Sequence, residues 1–314
     1  MLVWMFERLL ARSAQMRGDR CDYCLELSIN TLKTHLSSGV GLKEVIAVIH
    51  LPRLPSLYTR VELNSVVEYA VREAGLLEEL GYSGVIVENY GDAPYSKRVR
   101  DPLTLCSMTS IVREVVRATS LKVGVNLLRN SGREAYSIAV AGGAEFIRVN
   151  ALVETIVSDS GLIEPDALRL RALRPNYPGV QVYADVLVKH ASSLRFALSL
   201  LEAESPVVSK STLEDYYREL VEDYVERGGA DALVVTGLRT GEPPPLRLLE
   251  LTKKYSPVPV LAGSGVTPEN AERVLRLVDG VIVGTYIKVN GRAGNPTDPE
   301  RARQLISRIR ELVQ

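Results

Sequence analysis

Short apolar runs rich in Val, Ile and Leu punctuate the chain from residue 45 onward. They occupy residues 45–51, 85–89, 123–128, 146–150, 180–186, 232–236, 258–262 and 281–284. Continuous apolar runs of this length are the pattern of parallel strands buried on both faces. Their starts recur about every 34 residues, room for one helix and two loops between strands. The stretches between them carry helical periodicity. Val66, Ala70, Leu77 and Leu80 share one face, as do Leu305, Ile306, Ile309 and Leu312 near the C-terminus. Thr267-Pro268-Glu269 reads as an N-cap followed by proline at the first helical position. Eight strand–helix repeats predict an α/β chain, a (β/α)8 TIM barrel over residues 42–314 with an N-terminal extension of residues 1–41. A doubly wound sheet is the alternative. Near-equal units, and no Gly-x-Gly-x-x-Gly after the first run, argue against it.

Active sites of such barrels lie at the C-terminal ends of the strands. Polar residues gather there. His50 ends the first run. Glu88 and Asn89 end the second, with Asp92 just beyond. Asn126, Arg129 and Asn130 follow the third, and Arg148 and Asn150 the fourth, with Asp159 and Glu164 in the next loop. Asp185 ends the fifth run, followed by Lys189 and His190, and Thr236 ends the sixth. Each residue alone reads as a polar group capping a loop. Together they predict a ligand site, because buried polar groups cost free energy unless paired.

The seventh run leads into Gly263-Ser264-Gly265 and the eighth into Gly284-Thr285. Barrels often bind phosphate in these two loops, where glycines let backbone N–H groups approach an anion. The expectation is a phosphate seat at Gly263, Ser264, Gly265, Gly284 and Thr285. The bland reading is glycine used for close turn packing.

Composition narrows the partners. The chain has 314 residues, 46% hydrophobic and 24% charged, with 38 basic and 38 acidic residues. Such average usage suits a folded globular protein. Zero net charge gives no basic footprint for nucleic acid, and it leaves little repulsion between copies, so a homo-oligomer is expected. No apolar run approaches the roughly 18 residues of a membrane span. Three cysteines cannot form a disulfide scaffold, so a cytoplasmic protein is expected. Few Gln beside many Arg and Tyr give a weak compositional hint of a thermophilic source.

The first 41 residues stand apart. Residues 1–10 are apolar, but Glu7, Arg8 and Arg12 break the run too early for a secretory signal. An amphipathic helix on a surface is one reading; a loose extension, or initiation at Met5 or Met16, is the other. Cys21-Asp-Tyr-Cys24 has the spacing of half a zinc site, with His35 as a candidate third ligand and no second cysteine pair.

Several motifs carry a family resemblance. They are Val48-Ile-His-Leu-Pro-Arg-Leu-Pro55, Val87-Glu-Asn-Tyr-Gly-Asp-Ala-Pro94, Gly124-Val-Asn-Leu-Leu-Arg-Asn130 and Phe146-Ile-Arg-Val-Asn150. Ala184-Asp-Val-Leu-Val-Lys-His-Ala191, Val235-Thr-Gly237 and Gly263-Ser-Gly-Val-Thr-Pro-Glu-Asn270 complete the set. From about Glu44 onward the chain resembles the BtpA/SgcQ family. The resemblance implies a phosphate-binding type of barrel without naming a reaction. One member is tied to photosystem I biogenesis, and others resemble parts of sugar-utilisation clusters. There are departures: Ser131 stands where Asp is expected, and Ser158-Asp-Ser-Gly-Leu-Ile-Glu164 replaces Thr-Asp-Gln-Gly-Ile-Ile-Glu. Residues 192–226 are longer than usual, with 205–212 as a candidate flap.

Two functions follow. The first is an enzyme on a small phosphorylated substrate, a sugar phosphate or a phosphorylated nucleoside fragment. Glu88 and Asp185 are its candidate acid and base, with His50 and Lys189 also catalytic. Arg129, Arg148 and Lys189 would stabilise an enediolate, which suits isomerisation, epimerisation or carbon–carbon cleavage. Asn89, Asp92, Asn126, Asn150, Asp159, His190 and Thr236 complete the substrate-binding set. Lys189 as a Schiff-base amine is a variant. Another uses a divalent metal ion on His50, Asp185 and His190. The second function is a non-catalytic, membrane-associated assembly factor. No cofactor is expected with certainty.

Overall fold

The computed structural model describes residues 43–195, 197, 213–237 and 239–313. The 1–10 segment, the Cys21, Cys24 and His35 set and the 205–212 flap lie outside the described residues.

Eleven strands are described, numbered in chain order. Eight close into a parallel barrel: β1 (Glu44–His50), β2 (Gly84–Glu88), β3 (Lys122–Asn126), β4 (Phe146–Val149), β7 (Gln181–Val186), β9 (Ala232–Val235), β10 (Val260–Ala262) and β11 (Gly280–Val283). They correspond to the eight predicted runs, within two residues at each end. Each pairs with its neighbour, and β1 pairs with β11 to close the ring (Val45↔Val281, Ala47↔Val283). The fold is a TIM barrel.

Alternation along each strand divides the interior in two. Val45, Ala47, Ile49, Val85, Val87, Val123 and Val125 face outward, against the helices. Ile46, Val48, Ile86, Phe146, Tyr183, Val234, Leu261 and Ile282 fill the lumen. Gly124 makes room for Phe146: a Cβ there would stand 2.3 Å from the ring. The floor is polar. Lys122 Nζ donates to Glu44 Oε1 at 2.9 Å and to the Tyr183 hydroxyl at 2.6 Å.

The helices are α1 (Leu63–Leu80), α2 (Pro102–Ala118), α3 (Gly132–Gly142), α4 (Ala167–Leu173), α5 (Leu213–Glu226), α6 (Leu246–Tyr255), α7 (Ala271–Leu275) and α8 (Pro299–Val313). α1 buries Val66, Ala70 and Leu77, and α8 buries Leu305, Ile306 and Ile309, as their periodicity predicts. α7 corrects the expected start at Pro268. It begins at Ala271, and residues 268–270 form a turn. Asn270 Oδ1 accepts the Thr267 N–H, so the cap residue and its proline belong to the turn rather than to the helix.

A second sheet, without a counterpart among the predicted strands, lies outside the barrel. β5 (Ile156–Ser158), β6 (Gly161–Ile163) and β8 (Ala191–Ser193) form it, antiparallel, in the order β6-β5-β8. It joins the loop after β4 to the loop after β7.

Candidate active site

The same alternation that fills the lumen continues one layer higher, with polar side chains. His50, Glu88, Asn126, Arg148 and Asn150 all fall on inward positions at the strand ends. They line a cavity of about 510 Å³. Arg129, Asp159, Lys189, His190, Gly263, Ser264, Gly265, Gly284 and Thr285 line it too. So fourteen of the predicted site residues meet in one place.

Glu88 sits between two neighbours. Asn126 Nδ2 donates to its Oε2 at 2.6 Å, and His50 Nε2 lies 3.8 Å from its Oε1. His50 Nδ1 accepts the Gly294 N–H at 3.2 Å. In the neutral ring the proton therefore sits on Nε2, facing Glu88. Burial holds the His50 pKa well below the usual histidine value, helped by the positive charges of Lys288, Lys189 and Arg148. The Tyr90 ring packs on the imidazole at a centroid distance of 4.5 Å.

Lys189 makes no side-chain hydrogen bond among the described residues. Burial lowers its pKa, with Arg148 adding repulsion and Glu88 and Asp185 opposing both. It sits in the loop after β7, whose Leu187 and His190 both have positive φ. Thr236 anchors this loop by accepting the Lys189 N–H at 3.1 Å.

Asp185 lies apart from its predicted role. It is fully buried and does not line the cavity. Arg148 Nε donates to its Oδ1 at 3.0 Å and Asn150 Nδ2 to its Oδ2 at 2.7 Å. Arg148 Nη2 is also 2.9 Å from Oδ1, but off the hydrogen-bond direction, so that nitrogen is left unpartnered. Asp185 thus holds Arg148 and Asn150 in place, and both oxygens are spent on that.

Asn89, Asp92 and Thr236 also lie outside the cavity lining. Asn89 Oδ1 accepts the Leu128 N–H at 2.7 Å, and its amide donates to Asp92 at 3.1 Å. Asp92 accepts the Leu54 N–H at 2.8 Å. These side chains pin the rim loops. Asn130 does likewise, exchanging two hydrogen bonds with the Ala151 backbone. Ser131 accepts the Val99 N–H at 2.9 Å, so the departure from Asp falls on a loop anchor.

The proposed metal set does not assemble. Asp185 is occupied by Arg148 and Asn150, and His50 Nδ1 by Gly294. His190 Nε2 accepts the Thr240 N–H at 3.2 Å, with the Thr240 hydroxyl at 2.7 Å. Among the described residues no three His, Cys, Asp or Glu side chains are grouped to hold a metal ion.

Across the cavity, the loops after β10 and β11 present backbone. Ser264 spends its hydroxyl on the scaffold, accepting from the Gly237 N–H and donating to the Glu242 carbonyl. The N–H groups of Ser264, Gly265 and Thr285 find no backbone acceptor among the described residues. Gly265 has φ +65°, and a Cβ there would meet the Glu242 carbonyl carbon at 2.1 Å. Gly284 lets the backbone approach His50: a Cβ would stand 3.3 Å from Cε1.

The small sheet meets the cavity through the turn between β5 and β6. Asp159 accepts from Arg129 Nη2 at 2.7 Å, and Ser160 Oγ donates to the Tyr95 carbonyl at 2.9 Å. Arg129 stacks 4.9 Å above the Tyr95 ring. Tyr90, Tyr95, Leu128 and Thr240 are lining residues that sequence reasoning missed. The two tyrosines flank the Gly-Asp-Ala-Pro turn after β2, a position that was the available signal.

Comparison with known proteins agrees with this picture. The BtpA family matches residues 42–311. The chain belongs to the BtpA family. Among BtpA-family relatives, an uncharacterized protein of Thermococcus kodakarensis is 42% identical over 274 residues, covering 87% of this chain and 97% of that protein. The Photosystem I biogenesis protein BtpA of Synechocystis is 38% identical over 270 residues, covering 85% and 88%. The barrel is also similar to solved structures. N-(5'-phosphoribosyl)anthranilate isomerase from Pyrococcus furiosus gives a TM-score of 0.50 at 17% identity, covering 86% of this chain and 99% of that one. (S)-3-O-geranylgeranylglyceryl phosphate synthase from Thermoplasma acidophilum gives 0.51 at 15%, covering 86% and 94%. At these identities the likeness is one of fold.

Proposed function

We propose that this BtpA-family barrel is an enzyme that performs acid–base chemistry on a small phosphorylated substrate. The observation that carries the reading is the pairing of two walls in one cavity. One wall offers the backbone N–H groups of Ser264, Gly265 and Thr285, without a backbone acceptor among the described residues; the other carries Glu88, His50, Arg148 and Lys189. The N–H groups suit a phosphate. Two solved relatives in fold carry phosphorylated compounds in their names, phosphoribosylanthranilate and glyceryl phosphate.

With the phosphate seated there, the carbon skeleton reaches toward Glu88. Its carboxylate is the general base that takes a proton from carbon beside a carbonyl. Arg148 and Lys189 stabilise the oxyanion that develops, and the neutral His50 Nε2–H is the acid opposite Glu88. Asp185 supports Arg148 instead of exchanging protons itself. Isomerisation or epimerisation of a sugar phosphate follows most directly, with carbon–carbon cleavage as the same chemistry run through a different bond.

The test is solvent exchange. Sugar phosphates incubated with the protein in D2O should gain deuterium beside the carbonyl, read by NMR, and Glu88→Gln should slow this by about 10²–10⁴-fold. No exchange with any phosphorylated sugar would overturn the reading. The name of the Synechocystis relative favours a second one, an assembly factor. No helix among the described residues is long and apolar enough to cross a membrane.

A further inference from the structure

Four buried polar atoms of cavity-lining residues have no hydrogen-bond partner among the described residues: Asn126 Oδ1, Asn150 Oδ1, Arg148 Nη2 and Arg129 Nε. Asn126, Asn150 and Arg148 are each more than nine-tenths buried. Buried groups of this kind are uncommon, because each gives up its hydration for nothing in return.

The two amides are fixed in orientation. Asn126 gives its NH2 to Glu88 and Asn150 gives its NH2 to Asp185. A carboxylate only accepts, so neither amide gains by flipping to present an N–H to the cavity. Two acceptors remain, on neighbouring strand ends. Asn126 pairs with Arg148 in the β3–β4 register, and Asn150 follows two residues later on the same inward face. Such acceptors cannot satisfy phosphate, carboxylate or carbonyl oxygens; they need donors. Beside them Arg148 Nη2 needs an acceptor. It lies on the side of the glycine loop, 3.3 Å from where a Gly263 Cβ would stand.

We infer that the ligand is a polyhydroxylated monophosphate, a sugar or sugar-acid phosphate with at least two free hydroxyls. Asn126 and Asn150 read those hydroxyls through their side-chain oxygens. The inference rests on the phosphate-barrel reading above and adds what the far wall selects. A phosphate carrying a bare carbon chain fits the glycine loops but leaves both amides orphaned. The site therefore rejects it by the cost of groups left unpaired.

Calorimetric titration of the full chain tests this. The probes are inorganic phosphate, a panel of five- and six-carbon aldose and ketose phosphates, and singly deoxygenated analogues of the tightest panel member. At least one sugar phosphate should bind about 100-fold more tightly than inorganic phosphate. Its analogue lacking a read hydroxyl should lose about tenfold. Asn150→Ala should abolish one such tenfold difference. The analogue series needs no variant, so it stands even if a substitution harms folding. Phosphate binding with no gain for any sugar phosphate would overturn the inference and leave the phosphate reading intact. So would deoxygenated analogues that all bind as well as their parent. If none of the compounds binds, the phosphate reading falls and the inference falls with it.

Discussion

His50 Nδ1 accepts the Gly294 N–H, and its Nε2 faces Glu88 Oε1 at 3.8 Å. The ring is buried and its pKa is held well below the usual histidine value. An unfolded chain takes up a proton here near pH about 6.5 that the folded chain refuses. The stability tied to His50 is therefore complete above that pH and falls as pH drops below it. Glu154 and Asp166, raised by burial, push the other way. The quantity to read is thus a difference. Between about pH 7 and about pH 5 the wild type should lose melting temperature relative to His50→Gln. Parallel profiles for the two proteins would contradict the buried, neutral imidazole.

Asp185 is completely buried and holds the Arg148 guanidinium and the Asn150 amide. Asp185→Ala leaves a buried cation unpaired and should cost about 3–5 kcal/mol. Chemical denaturation measures this. Removing the charge as well, in Arg148→Met with Asp185→Leu, should recover much of the loss in stability while ligand affinity falls. A single substitution that costs nothing would make Asp185 dispensable to the scaffold.

Lys189 is desolvated, repelled by Arg148 and without a hydrogen-bonded partner among the described residues. The attraction of Glu88 and Asp185 repays its burial only in part. Lys189→Met keeps the stem and removes the charge, so it should melt at the same temperature or higher. Its affinity for the phosphorylated ligand should fall, the pattern of a group kept for function at the expense of stability. A variant that melts lower and binds normally would reverse the assignment.

Gly265 has φ +65° and packs against the Glu242–Pro243 backbone. Gly265→Ala brings both strain and a clash, about 1–3 kcal/mol together. It also displaces the N–H groups at the anion seat. Phosphate affinity should drop by about tenfold or more, while Gly75→Ala, a helical glycine with open space around its Cβ, leaves it unchanged. Equal affinities in the two variants would move the phosphate elsewhere.

The barrel was legible because a strand buried on both faces must be apolar throughout, and a polar residue at its end breaks that rule visibly. Glu88 and Asp185 broke it alike, and sequence gave no means to separate them. Their difference is a matter of neighbours. Asp185 faces Arg148 and Asn150, while Glu88 keeps one oxygen toward His50. Those pairings join residues about 37 positions apart, through strand register that the apolar pattern does not encode. The β5-β6-β8 sheet escaped notice because its strands have three residues each and read Ile-Val-Ser, Gly-Leu-Ile and Ala-Ser-Ser. Such segments are too short for a period to declare itself. Tyr90 and Tyr95 were not legible as site residues, because it is the pairing of β1 with β2 and of β2 with β3 that brings their rings against His50 and Arg129.

The seam between β1 and β11 has a consequence for how the chain is made. Until Gly280–Val283 leaves the ribosome, β1 and β10 are two open sheet edges. Nearby, the buried carboxylate of Glu73 on α1 waits for Lys288 and Thr297, which arrive more than 200 residues later (Lys288 Nζ to Glu73 Oε2 3.1 Å, Thr297 Oγ1 to Glu73 Oε2 2.7 Å). The nascent chain therefore carries these unpaired surfaces until more than 200 further residues have been made. The segment from Gly280 to Thr297 acts as the clasp that turns an aggregation-prone open sheet into a ring with no edges.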